Sequence, residues 1–211
     1  MSDDEVHVYF DLEATGLNRW QDHITQIGAT ANLHDSTGKR KLHNFSTYVH
    51  TEREISKGAS KVTGITNETI KDAPPTQKAI QMFLDWVYSI SEGRRVVLCA
   101  YNGLSYDFPM LCSEMSRCNM NLSKSFRSCG VEYFIDPLKW ARHNIDRTLL
   151  QRNNKGSCSF CLGDVYASLM GAKFKNAHDA LADTKALCSI CEHTAFSLME
   201  AEKCDHCIPT S

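Results

Sequence analysis

No stretch of the sequence approaches the roughly 18 consecutive apolar residues of a membrane-crossing helix, which excludes a helical membrane span. The opening Met1-Ser2-Asp3-Asp4-Glu5 is acidic and lacks the basic and apolar regions of a secretory signal. Together these absences predict a soluble intracellular protein of the cytoplasm, the nucleus or both. No repeat, low-complexity run or linker-like stretch divides the chain. Its 211 residues therefore predict one domain, with a core over about 6–196 and a tail over 197–211. Nor is there an excess of charge of one sign. A formal net charge of −2 is not the footprint of a protein that coats nucleic acid with its whole surface, though it permits a small basic cleft gripping a chain end. Arg142, Arg147, Arg152 and Lys155 mark the segment richest in positive charge.

What is present is a set of patterned acids. Val6-His7-Val8-Tyr9-Phe10-Asp11-Leu12-Glu13 reads as a strand, in which residues two apart share a face. Asp11 and Glu13 then point one way, with Leu12 turned into the core between them. Two like charges side by side are costly unless a cation neutralises them. An isolated Asp-x-Glu is more often a strand end with two solvated acids, and further segments reverse that reading. Asp107 follows a buried-looking strand, Val96-Val97-Leu98-Cys99-Ala100, and a turn through Asn102-Gly103, and it opens a helical pattern. Its bland alternative is a helix cap. His178 precedes a long helix in which Asp183 occupies the inward side one turn in. Four carboxylates and one histidine suit a phosphodiester hydrolase holding two Mg²⁺ ions, with Mn²⁺ able to substitute, because hard cations take oxygen ligands.

Strands are predicted at about 6–13, 24–33, 43–50, 95–101 and 131–135, the first three as an antiparallel meander. Helices are predicted near 76–91, 106–118, 137–150, 161–171 and 179–200. This order implies an α/β fold, a five-stranded mixed sheet covered by helices.

The joint pattern Asp-x-Glu, Asn-x-x-x-x-Asp and His-x-Ala-x-x-Asp resembles the DEDDh branch of the DnaQ-like 3′–5′ exonucleases, matching all five catalytic positions in order. Gly64, Thr66 and Ile70 add a further element of that family. Phe10-Asp11-Leu12-Glu13-Ala14-Thr15-Gly16-Leu17, Tyr106-Asp107-Phe108-Pro109, Leu162-Gly163 and Ser189-Ile190-Cys191 bring the likeness to the animal three-prime repair exonucleases in particular. The resemblance implies a ribonuclease-H-like exonuclease fold and removal of nucleoside 5′-monophosphates from single-stranded or frayed DNA 3′ ends. It assigns Asp11, Glu13, Asp107 and Asp183 to the metals, Asp11 as the bridging ligand, and His178 as the base that takes the attacking water's proton. It aligns Leu12, Ala14, Leu17 and Val62 with positions contacting the terminal nucleotides, Asn102 and Tyr106 with positions beside the metal acid, and Ser159 and Phe160 with a pair near the scissile end. Core packing is the alternative for Leu17, Val62 and Phe160.

The chain departs from the family at Tyr101 (His there), Ser105 (Arg there) and Phe160 (Tyr there), and it lacks the proline-rich loop and the anchoring tail. Related exonucleases pair the strand at 42–50 across a two-fold axis, which implies a homodimer. Trimming of RNA 3′ ends by the same chemistry and a non-catalytic nucleic-acid-binding scaffold are the competing readings. Ten cysteines without a secretory signal read as reduced thiols. Cys158/Cys161, Cys188/Cys191 and Cys204/Cys207, with His193 and His206 nearby, have zinc-ligand spacing, but packing is the stronger reading of the helical pair Cys188/Cys191.

Overall fold

The computed structural model describes residues 5–34, 37–152 and 155–193. Three strands come first, β1 (Glu5–Ala14), β2 (Ile24–His34) and β3 (Arg40–Tyr48). Helices α1 (Lys57–Thr63), α2 (Asn67–Ile70) and α3 (Thr76–Ser91) follow, then β4 (Arg95–Cys99), α4 (Asp107–Arg117), α5 (Leu122–Ser128) and β5 (Val131–Ile135). The chain continues with α6 (Pro137–Asn144), α7 (Leu162–Met170) and α8 (Ala180–Glu192). The strands form one sheet in the order β3-β2-β1-β4-β5. β1–β2 and β2–β3 are antiparallel, whereas β1–β4 and β4–β5 are parallel, as crossovers through helices require.

The two-residue period of β1 sorts its side chains onto two cores. Val8, Phe10, Leu12 and Ala14 face α3–α5, where Phe83, Phe108, Phe126 and Phe134 fill the layer and Phe108 stacks on Phe134 at 4.3 Å between ring centres. Tyr9 faces the other layer with Trp140, Val165, Leu187 and Ile190 from α6–α8. Asp11 and Glu13 share the Tyr9 face and emerge at the strand's C-terminal end. α8 packs there because Gly28 on β2 has no side chain: a Cβ would stand 2.4 Å from the carbonyl carbon of Ala180. Thr30 and Thr184 hydroxyls, 2.9 Å apart, and the Asn32 amide donating to Glu192 complete the docking.

Several boundaries differ from those predicted. β3 runs from Arg40 to Tyr48 rather than 43–50, because Val49 and His50 turn their N–H groups to the carbonyls of Thr25 and Pro74. The helix expected over 137–150 stops at Asn144; Ile145 is extended, and Asp146 caps a separate 3-10 turn at Arg147–Leu149. α8 ends at Glu192, with His193 extended, and residues expected to continue it to 200 lie outside the described residues. The short helices α1, α2 and α5 went unpredicted. α1 buries no side chain, α2 only Ile70 and α5 only Phe126, so they carry no apolar period. Caps define them instead: Ser56, the Thr66/Thr69 capping box and Asn121, each worth about 0.5–2 kcal/mol.

Candidate active site

Three elements converge at the C-terminal end of β1. Asp11 and Glu13 come from the strand, Asp107 is the first residue of α4, and Asp183 lies in the first turn of α8. Asp107 does not cap its helix. Its carboxylate accepts the Leu12 N–H at 3.1 Å, a bond spanning 95 residues that locks α4 to the strand between the two β1 acids. The Asp183 carboxylate accepts the backbone N–H of His178 at 3.1 Å. That bond supports a backbone the imidazole's residue would not choose, since His178 has φ 68°, a left-handed conformation costing a non-glycine residue on the order of 1 kcal/mol. The His178 side chain itself is exposed.

The acids are crowded and largely buried. Burial, then the Asp107 charge, raises Asp11 well above the ordinary carboxylate range, and burial likewise raises Asp107 against the lowering effect of the Leu12 N–H. Burial and the neighbouring Asp183 push Glu13 up to about 8. Burial lifts Asp183 to about 6 although the His178 N–H opposes it. Such a set is stable as anions only with a cation among them, and its oxygen donors fit a hard divalent ion. Among the described residues, Glu13, His178 and Asp183 bring one ligating atom each to within 4.8 Å of one another. Asp11 and Asp107 stand outside that triple. The imidazole assigned to proton transfer is thus also within ligating distance, which spacing alone did not reveal.

A family model described as exonuclease matches residues 8–191. The chain belongs to the exonuclease family. It is a hydrolase of the 3′–5′ exonuclease type, and the family's chemistry depends on divalent metal, for which this acid cluster is the candidate site. Three prime repair exonuclease 2 of Mus musculus is 28% identical, the match covering 92% of this chain and 86% of the relative. Three-prime repair exonuclease 1 of Homo sapiens is 25% identical over 91% of this chain and 64% of its own. E. coli Exonuclease I, solved in complex with a dT13 oligonucleotide, shares the fold with a TM-score of 0.69 at 20% identity, over 88% of this chain and 40% of that one. The expected ribonuclease-H-like exonuclease fold is therefore the observed one. Among the described residues no helix is long and apolar enough to cross a membrane.

Around the acid cluster the other candidates sort by exposure. Leu17 is 91% and Val62 54% exposed, which overturns core packing for both. Leu12 and Ala14 bury their side chains in the core, so only their backbone is available to the site. Tyr106 donates its hydroxyl to the Gly16 carbonyl at 2.6 Å, tying the Asp107 turn to the loop after β1. Asn102 is exposed with φ 60°, and its N–H donates to Asp136. Phe160 is half-buried against the second core, so packing holds for it; Tyr101 donates its hydroxyl to the Phe160 carbonyl at 2.7 Å. Ser159 is buried and donates to Asp164. Cys188 and Cys191 are core residues, and among the described residues no cysteine joins a metal-binding group. Cys204, His206 and Cys207 lie outside the described residues.

Sequence reasoning missed the residues that aim the acids. Asp136 accepts N–H bonds from Asn102, Leu104 and Leu138, fixing the turn that delivers Asp107. Gln26 bonds both Asp179 and the Ala180 N–H, fixing the start of α8. Their only sequence signals were an acid before a proline at a helix start, which marks Asp136, and a long polar side chain near the start of a buried strand, which marks Gln26.

Proposed function

We propose that the protein removes nucleoside 5′-monophosphates one at a time from single-stranded or frayed DNA 3′ ends. The observation that carries this reading is the meeting of Asp11, Glu13, Asp107 and Asp183 with His178 at the C-terminal end of the central strand β1. Asp11, Glu13, Asp107 and Asp183 would hold two Mg²⁺ ions, which when bound supply an acidified water and charge stabilisation at the leaving 3′ oxygen. His178 accepts the attacking water's proton, and a positioned base of this kind contributes about 10²–10⁴-fold. The Leu12 N–H keeps the Asp107 carboxylate turned toward Asp11 as charge builds. Leu17 and Val62 offer apolar surface to unstacked terminal bases, and that favours single strands. DNA is favoured by the likeness to the three prime repair exonucleases and by the oligonucleotide bound to Exonuclease I.

Matched 5′-labelled DNA and RNA strands, incubated with Mg²⁺ and with EDTA, test the reading. The expected result is a DNA ladder shortening one nucleotide at a time with Mg²⁺ only. Faster loss of the RNA strand would transfer the function to RNA trimming, and early internal fragments from a circular strand would show an endonuclease.

A further inference from the structure

The loop between β1 and β2 holds an aromatic side chain in solvent on an unusually well-tied backbone. Trp20 is 62% exposed. Its N–H donates to the Asn18 side chain at 3.1 Å, and its carbonyl accepts from Arg117. Asn18 in turn accepts the N–H groups of Gln21 and Asp22, and buried Asp22 accepts from Thr15, Asn18 and Arg53. Gly16 leaves the room this requires, since a Cβ there would lie 2.5 Å from Asp22 Oδ2. None of these bonds uses the indole. Beside it lies Arg19, its guanidinium carbon 5.4 Å from the Trp20 ring centre, with Nη1 donating to the Ser105 carbonyl at 2.6 Å and Nε without a hydrogen-bond partner among the described residues. Ser105 is two residues before Asp107, so the Arg19 guanidinium rests on the turn that leads into the acid cluster.

We propose that Arg19 and Trp20 form a stacking platform for the bases that follow the terminal nucleotide of a single strand, a proposal that rests on the exonuclease reading above. An exposed indole on a tied backbone can stack any base, and a neighbouring guanidinium adds a positive charge for the phosphate backbone. The occupant is a single strand, because the platform shares its loop with Leu17, and a base can lie flat on an indole only when its own strand neighbour does not cover that face. The apolar ring and the cation thus read two features that every unpaired nucleotide carries.

The test compares wild type, Trp20→Ala and Trp20→Phe on a single-stranded DNA ten-mer and on the p-nitrophenyl ester of thymidine 5′-monophosphate, which has no further base. The ratio of kcat/KM for the ten-mer to that for the ester should fall roughly tenfold in Trp20→Ala, through KM, and return in Trp20→Phe. Addition of the ten-mer in EDTA should quench tryptophan emission of the wild type and not of Trp20→Phe. An unchanged ratio in Trp20→Ala, or an equal loss on the ten-mer and the ester, overturns the platform. A wild-type protein that hydrolyses neither substrate with Mg²⁺ would instead overturn the exonuclease reading on which it rests.

Discussion

At the residue scale the centre is a conflict of like charges arranged for a cation to resolve. Asp183→Asn keeps size while removing one charge, so Mg²⁺-dependent turnover should be lost and the fold kept. Because the folded-state pKa of Asp183 is raised to about 6 from 3.8, its anion opposes folding once pH passes through that range. The asparagine variant should therefore melt higher than wild type in EDTA at pH 8, by about 2–4 °C per kcal/mol relieved, and the gain should vanish near pH 4. Calorimetry at the two pH values checks the sign. His178→Ala should lower kcat by about two orders of magnitude with single-strand binding retained; normal turnover in that variant would strip the imidazole of its role.

At the element scale, the placement of Asp183 and His178 depends on how closely α8 approaches β2. The 2.4 Å separation from a Gly28 Cβ to the Ala180 carbonyl carbon means that Gly28→Ala must push the helix outward, taking Asp183 and His178 with it. Overpacking of this kind costs about 1–3 kcal/mol. The variant should melt several degrees lower and lose turnover out of proportion to its loss of fold. Circular dichroism melts beside a nuclease assay at a temperature where both proteins are folded separate the two effects; full turnover there would show that α8 has slack. The strand edge is a second element-scale feature. β3 ends the sheet, and Leu42 and Tyr48 are 48% and 41% exposed along it. No proline interrupts it, so its open hydrogen-bonding groups favour pairing with a second copy. Light scattering at tens of micromolar should give a dimer mass, and a monomer mass refutes the pairing.

For the molecule as a whole, the acid cluster couples metal, pH and stability. Glu13 at about 8 and Asp183 at about 6 are both raised, so the folded protein binds protons that the unfolded chain has released. Their contribution is fully present below the ordinary carboxylate range and is lost as pH rises through about 8. In EDTA the melting temperature should fall between pH 5 and pH 8. On the proposed reading Mg²⁺ binds the anionic form, and at a hundredfold excess over its Kd it would add about 2.7 kcal/mol, so the rise in melting temperature on adding Mg²⁺ should be larger at pH 8 than at pH 5. A metal effect independent of pH would dissociate the cation from these carboxylates.

The chemistry of this protein was legible in the sequence because its signals are local. A two-residue period put Asp11 and Glu13 on one face of β1, a helical register put Asp183 inward, and apolar runs marked the five strands and the long helices. Packing decided the rest. The Leu12–Asp107 bond exists because β4 lies beside β1, Gly28 matters because α8 crosses β2, and Asp136 matters because β5 ends beside the turn after β4. In the sequence Trp20 is an ordinary apolar residue and core packing is open for Leu17 and Val62; the fold decides by leaving all three side chains in solvent. Periodicity says which side of an element a residue occupies, whereas what that side faces depends on partners many residues away along the chain.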